Sequence, residues 1–481
     1  MKATSIPAPA LSCRGMTSAA SPTPPRRKST LYPGTLAVLA WLAVACGEAR
    51  TTPSRGVLSA SGACAASPAW ITNPKPPAEI ASTETFCDFY QFSWQWFLAQ
   101  VSPADPTKPT GDRVFEAKNR VVIPQGGANQ CAMNGVSGRA AAIKALAIRT
   151  IKPGDFEHQQ ADRSPLYDQN GNALYYSMWY SPQECQATSS GFAPGTMEIK
   201  AAWRVLPAAD PTYLTMNATV PVVSAGGTIS QKNVVLGLVG FHLVNWTTKH
   251  PEMIWATFEH KANAPLCAGT SPTPAGGWSL TSAAATACLA KNRSPNGQLP
   301  AACASFDLNN PPAAPSSKIV PTSGTPDEVC ELFKDGTDSG AAVNGNDNAA
   351  NALAIDQLNQ ALIGPTGLLS TLPPNDPMAV WANYQMIGGI WTKDGQASGP
   401  PPVPSKQGPP STQSPQRGSL ELANVTMETY QQGPSSSVPN CFGCHNYTPT
   451  TPLTVSHIAN EYLLPPAPPS PASAPGSPTP K

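Results

Sequence analysis

The sequence has few charged residues, and those it has almost cancel. Only 12% of its 481 residues are Asp, Glu, Lys or Arg, and the formal net charge is +1. Proteins that bind nucleic acids usually carry an excess or a cluster of Lys and Arg, which supplies most of their attraction to phosphate. The composition therefore argues against a nucleic-acid partner.

A long apolar run is also missing. The most apolar stretch near the N-terminus, residues 31–45 (LYPGTLAVLAWLAVA), falls short of the roughly 20 residues that span a bilayer. It follows the basic run 26–28 (RRK), which is typical of an export signal. Small residues then precede Cys46 and resemble a lipobox, although ordinary signal cleavage is the alternative. We predict a periplasmic or cell-envelope protein anchored to a membrane by a lipid on Cys46.

The chain has a single Cys-x-x-Cys and no His-x-x-x-His, so it lacks the paired ligand motifs of a structural zinc site. The single copy reads Cys441-Phe442-Gly443-Cys444-His445, which is the attachment pattern for c-type haem. The two thiols would form thioether bonds to the vinyl groups of one covalent haem c, and His445 would be the proximal axial ligand of the iron. The alternatives are a redox or structural disulfide and a zinc site completed by distant ligands.

No methionine follows Met427, whereas the common small cytochromes c have an early haem motif and a later methionine ligand. Three possibilities therefore remain for the sixth iron position: an upstream methionine, a histidine, or an open site. Methionine ligation suits electron transfer, and an open site suits the binding of a small oxidant. The candidate sixth ligands are Met427, Met386, Met378, His457, His260, His242 and His250.

Eight more cysteines remain once Cys13 in the signal, Cys46 and the motif pair are set aside. An even number of cysteines in an exported protein predicts up to four disulfides. Eight cysteines allow 105 pairings, so the sequence predicts no connectivity. The eight are Cys64, Cys87, Cys131, Cys185, Cys267, Cys288, Cys303 and Cys330.

Three stretches have the pattern of an antiparallel β-core. Residues 197–206 (MEIKAAWRVL) alternate between apolar and polar positions, which predicts a half-buried strand. Residues 234–246 and 253–260 are more apolar and close enough to form a hairpin. Gly237 and Gly240 indicate a bulge or a close approach. The predicted fold class is α+β: a mainly antiparallel β-core with a few helices, disulfide-stapled loops and a C-terminal haem c segment.

This β-core carries half of the histidines in the chain, His242, His250 and His260. Alternation puts Glu198 and Lys200 on the polar face of the first strand. One interpretation is a pocket on the sheet that holds a ligand or supplies the distal iron ligand. The other is a solvated sheet face with a His–Glu contact.

Helices are predicted at residues 83–101, where aromatic residues recur at helical spacing, and at 348–363 after an Asp347 N-cap. Residues 379–391 fit a strand or a helix, and so do residues 420–431. The predicted organisation is a lipoprotein-type signal peptide (1–45), a tether (46–79), a β-rich main domain (80–393), a Pro/Gly-rich loop (394–418), a haem c attachment segment (419–464) and a disordered Pro-rich tail (465–481).

Most of residues 80–445 resembles a group of bacterial exported proteins described as cytochrome c family proteins. The segments that carry the resemblance are FCDFYQFSWQWFLAQ (86–100), MEIKAAWR (197–204), HPEMIWATFEH (250–260), VWANYQMIGGIWT (380–392) and NVTMETYQQ with CFGCH (424–445). The resemblance implies one covalent haem on Cys441 and Cys444, with His445 as axial ligand, and no assigned reaction.

The sequence thus predicts an exported monohaem cytochrome that transfers one electron to or from a partner protein or a small molecule. The first alternative is a haem c enzyme, of oxidase or peroxidase-like type, with a substrate pocket on the β-core. The second is a haem-bearing sensor or ligand-binding lipoprotein.

Overall fold

The computed structural model describes residues 63–123, 129–132, 164–269, 271–292, 299–311, 321–334, 346–399, 414–432 and 440–463. The described residues from Cys64 onward belong to one compact unit. The predicted signal peptide, Cys46 and the Pro-rich tail lie outside the described residues, as does most of the predicted loop at 394–418. Within the described ranges, no helix has the length and apolarity that a membrane crossing requires.

Eight antiparallel strands form one sheet, which confirms the predicted α+β class with an antiparallel core. The strand order is β1-β2-β3-β5-β6-β7-β8, and β4 pairs with β5 outside this path. The strands are β1 (Arg120–Val121), β2 (Tyr175–Tyr180), β3 (Met197–Leu206), β4 (Thr215–Val223), β5 (Ile229–Asn245), β6 (Ile254–His260), β7 (Tyr384–Thr392) and β8 (Gln416–Gly418).

Strand β3 has the predicted bounds, and β5 is longer than predicted because it also pairs with β4. The pairing of β3 with β5 shifts between Ala202 and Trp203, opposite Gly240. Gly240 is also a point of close approach, since a Cβ there would lie 2.1 Å from the hydroxyl of Thr426. Both the predicted bulge and the predicted close approach are therefore present.

Helix α2 (Phe86–Val101) covers one face of the sheet. Thr85 caps its N-terminus in a capping box with Asp88, and its aromatic side chains bury against apolar side chains of β3, β5 and β6. The predicted N-cap Asp347 accepts the amide of Ala350. The other α-helices among the described residues are α1 (Ala69–Thr72), α3 (Val114–Lys118), α4 (Ala283–Lys291) and α5 (Asn348–Ile363).

Four disulfides are present, as the cysteine count predicted. Two of them cross-link the loop-rich region between β6 and α5, where few strands or helices could hold the chain. All four bridges close before residue 331. The pairs are Cys64–Cys87, Cys131–Cys185, Cys267–Cys330 and Cys288–Cys303.

The chain after β8 crosses the other face of the sheet as irregular structure. The helix or strand predicted at 420–431 is wrong, because only a 3-10 turn forms, at Thr429–Gln432. Hydrogen bonds to the sheet hold this segment instead. The side-chain amide of Asn424 donates to the Thr257 hydroxyl at 2.7 Å, and the backbone amide of Val425 donates to the Glu259 carboxylate at 2.7 Å. The conformation of this segment is therefore set by its hydrogen bonds to the sheet and not by a regular helix or strand of its own.

Candidate functional site

The Cys-x-x-Cys-His motif begins with a 3-10 turn, Cys441–Gly443, seated on the sheet. The side chain of Asn440 accepts the Phe442 amide at 3.1 Å and donates to the Leu420 carbonyl at 2.8 Å. The Phe442 ring is buried in an apolar cluster that includes Trp255 of β6. Side-chain hydrogen bonds and apolar burial therefore fix the turn on the sheet.

Among the cysteines that the structure describes, only Cys441 and Cys444 lie outside disulfides, and both are partly buried. Burial raises the pKa of the Cys441 thiol, and the nearby Glu428 carboxylate raises it further. Both effects favour the neutral thiol over the thiolate, which is the reactive form of a redox cysteine.

The imidazole of His445 is fixed in one orientation. Its Nδ1 donates to the Val455 carbonyl at 2.9 Å, and the ring lies between Trp255 (centroids 4.3 Å apart) and His457 (stacked at 4.2 Å). Burial lowers the pKa of His445 well below its usual range, and His457 lowers it further. His445 is therefore neutral with its proton on Nδ1, which leaves the Nε2 lone pair for a metal.

His242 and two charged side chains meet on the sheet face that carries the motif. His242 and Lys200 are paired residues of β5 and β3. His242 Nε2 lies 3.1 Å from one oxygen of Glu428, and Lys200 Nζ lies 3.9 Å from the other. The geometry of the His242–Glu428 contact does not suit a hydrogen bond. Burial acts to raise the pKa of Glu428, but His242 and Lys200 outweigh it, so that the pKa is lowered.

This group lies close enough to the motif to alter its titration. Glu428 raises the pKa of Cys441, while Lys200 and His242 contribute to the lowered pKa of His445. Of the three β-core histidines, His242 is thus the one that the structure brings to the motif.

The other two β-core histidines have structural partners elsewhere. His250 is buried, with its Nδ1 2.9 Å from Glu252 and its ring against Phe89. His260 stacks on Tyr213 at 3.9 Å, and its Nε2 bonds to the Thr212 carbonyl. The three β-core histidines therefore do not meet at one site.

His457 lies directly beside the imidazole of His445. It stacks face to face on His445 with centroids 4.2 Å apart, and its Nε2 is 3.3 Å from the Cys444 carbonyl. This stacking leaves no space for a cofactor between the two rings, which disfavours His457 as a sixth ligand.

The candidate methionines lie on both faces of the sheet. Met378 and Met386 are buried in the cluster that contains α2, on the face away from the motif. Met427 is buried on the motif face, where it packs near Gly240. Of the three candidate methionines, Met427 is thus the one that lies on the same face of the sheet as the motif.

The residues present fit a covalent c-type haem. Two thiols of the described structure remain outside the disulfides, and the adjacent imidazole keeps Nε2 free to bind a metal. No protein-family model, curated protein or solved structure matches the chain. A cavity of about 710 Å³ at the β3–β5 edge has Leu206 and Lys232 in its lining, but none of the motif residues.

Sequence reasoning missed several residues that shape the site. Trp255 packs on the imidazole of His445, Val455 orients it, and Glu428 joins Lys200 and His242. No spacing pattern links these positions, since they come from three separate stretches of the chain. The alternation along β3, which puts Lys200 on the polar face, was the one sequence pattern that partly indicated a site residue.

The buried His260 predicts a loss of stability in mild acid. Burial lowers its pKa from 6.5 to about 4. As the pH falls below 6.5, His260 becomes protonated in the unfolded chain but stays neutral in the folded protein. The free energy of unfolding therefore decreases until the pH nears 4. The shift corresponds to roughly 3 kcal/mol. Urea unfolding at a series of pH values would measure this loss.

The matched variant for this prediction is His260→Gln. It should be less stable than the wild type at neutral pH, because the bond to the Thr212 carbonyl is weakened, and its stability should change less between pH 6.5 and 4. Parallel pH profiles for the two proteins would contradict the prediction.

Proposed function

We propose that the protein is an exported monohaem c-type cytochrome, of the kind described as cytochrome c family proteins, that transfers single electrons. The observation that carries the proposal is the site at residues 441–445. Its two cysteines lie outside disulfides, and the adjacent His445 donates Nδ1–H to the Val455 carbonyl. A metal-bound histidine commonly donates its other ring proton in this way, which fixes its orientation.

When bound, the haem would supply a one-electron iron couple. The chain's own residues attach, orient and shield it. Cys441 and Cys444 hold the macrocycle, while Trp255 packs against the axial imidazole. The apolar cluster around Phe442 limits access of water to this side. A buried haem with fixed ligands needs little rearrangement between oxidation states, which suits electron transfer.

Four disulfides support a location outside the cytoplasm, since disulfides persist in oxidising compartments. A periplasmic or envelope protein with a lipid on Cys46 is therefore part of the proposal. Its partners would be a redox protein or a small electron donor or acceptor.

The test is the optical spectrum of the protein produced in a host that attaches haem c, oxidised and reduced, with and without carbon monoxide. We expect a covalent haem with a low-spin spectrum that carbon monoxide leaves unchanged, because a strong sixth ligand closes the iron. Absence of haem absorbance would contradict the proposal.

A second candidate function is a haem c enzyme, which the cluster of Lys200, His242 and Glu428 favours. A histidine in contact with a carboxylate is the usual arrangement of a general acid or base. A high-spin spectrum that shifts with carbon monoxide would mean an open iron site and would place this candidate first.

A further inference from the structure

Two glutamates meet in the protein interior beside the candidate site. Glu184 lies in the 3-10 turn Pro182–Gln186, and Glu198 lies on β3. Glu184 is 0% exposed and Glu198 is 6% exposed. Burial raises the pKa of both carboxyls, and each one affects the titration of the other. Glu198 raises the pKa of Glu184 further.

Two carboxylates that share a buried site cannot both be ionised at modest cost, so the pair retains a proton between them. One oxygen of Glu184 accepts the Ser456 hydroxyl at 3.1 Å. Its other oxygen and one oxygen of Glu198 have no hydrogen-bond partner in the part of the chain that the structure describes. The pair therefore has free acceptor positions at which to bind and release a proton.

A short stretch of backbone joins this pair to the axial imidazole. The Val455 carbonyl accepts the Nδ1 proton of His445, and the next residue, Ser456, donates to Glu184. The Ala459 amide donates to the Ser456 hydroxyl oxygen at 2.8 Å, which helps to direct the hydroxyl proton toward Glu184. The carboxyl pair thus lies one residue of chain and two hydrogen bonds from the ring that would bind the iron.

We propose that Glu184 and Glu198 form a proton-binding site coupled to the haem, so that the pair takes up one proton from solvent when the iron accepts one electron. The inference rests on the proposed function. A one-electron donor reduces Fe(III) to Fe(II), and one O–H bond forms on the carboxylate of the pair while the bond of that proton to a hydronium ion or buffer acid breaks. No other bond changes.

The coupling follows from charge. Reduction makes the haem more negative by one unit, and in a partly dehydrated interior this extra charge favours the neutral form of a nearby acid. Proton uptake by the pair cancels the added charge. The protein would therefore move an electron and a proton together.

Few other titratable groups face the pair. Tyr180 of β2 is the residue paired with Glu198 across the sheet, and burial raises the pKa of its phenol. Arg120 of β1 interacts with that phenol. The C-terminal segment contributes Ser456, which does not titrate in this range. Lys200, two residues further along β3, belongs to the group around Glu428.

The experiment is a potentiometric titration of the haem-loaded protein at several pH values across the neutral range. In the wild type we expect the midpoint potential to fall as pH rises, by up to about 59 mV per pH unit where one proton accompanies one electron. The double variant Glu184→Gln/Glu198→Gln should lose most of this slope, since glutamine has a similar shape and cannot titrate. Glu184→Gln alone provides a milder variant if the double one folds poorly.

Glu461→Gln is the matched control, because it removes a carboxylate from an exposed position in the same C-terminal segment. It should keep the wild-type slope. Reduced-minus-oxidised infrared spectra give an independent readout: a band from a protonated carboxyl should change in the wild type and be absent from the double variant.

Loss of the coupling and loss of the haem would give different results. A protein with covalent haem whose slope and infrared bands are the same in the wild type and the double variant would overturn the coupling while leaving the cytochrome intact. Absence of covalent haem from the wild type would instead overturn the proposed function.

Discussion

Replacing both motif cysteines, Cys441→Ala with Cys444→Ala, should abolish covalent haem attachment. Each thiol supplies one thioether bond, and the other eight cysteines of the described structure are already paired. Each single variant should keep one thioether and bind less haem. The measurement is haem staining of the denatured protein together with its intact mass, because denaturation releases a haem that is not covalently bound.

The matched control also removes two cysteines. Cys288→Ala with Cys303→Ala breaks the disulfide with a sequence separation of 15 residues, which should cost about 3 kcal/mol of stability. This control should keep covalent haem. Covalent haem in the motif double variant would disprove attachment at this site, whereas its loss from both proteins would mean that folding, rather than chemistry, limits attachment.

Replacing Phe97 with alanine should destabilise the protein by about 3–5 kcal/mol, the usual cost of truncating a fully buried aromatic ring. Phe97 of α2 is 0% exposed and stacks on Phe258 of β6 with ring centroids 4.0 Å apart. Its edge contacts involve Trp94, Phe241 and Trp381 at 5.4–5.6 Å. The lost ring would leave a cavity between the helix and the sheet, and urea unfolding would detect it as a lower midpoint at an unchanged slope.

A second helix supplies the comparison for this variant. Leu353 of α5 is 51% exposed, so Leu353→Ala should change the stability by less than about 0.5 kcal/mol. If the two variants unfolded at similar urea concentrations, the contacts of Phe97 would not be the main attachment of α2 to the sheet.

Much of the architecture could be predicted from local pattern. Residues 197–206 alternate at most positions, and the structure has a strand with those bounds. Asp347 caps a helix, and the four disulfides agree with the number of cysteines. These features depend on neighbouring residues or on simple counting, so a single sequence contains the information.

The residues of the candidate site were harder to predict from the sequence, because their positions depend on strand register. The pairing of β5 with β6 aligns His242 with Thr257. His260 is three residues beyond Thr257, and an odd separation along a strand places it on the opposite face. The hairpin register, which the sequence does not specify, therefore decides which histidine meets the motif.

The segment 420–431 shows a second limit. It has helical and strand-like composition, but the Asn424 side chain and the Glu259 carboxylate hold it flat on the sheet. Such bonds join residues about 166 positions apart, so no local window could reveal them. The carboxyl pair beside Ser456 was unforeseen for the same reason.

The disulfide pattern also has a consequence for the order of synthesis. Every disulfide closes before residue 331, and the motif follows 110 positions or more later in the chain. During synthesis from the N-terminus, both cysteines of each of these four pairs are therefore in the chain before either motif cysteine is added. Each of the eight sulfurs thus has its native partner before the two motif thiols are present.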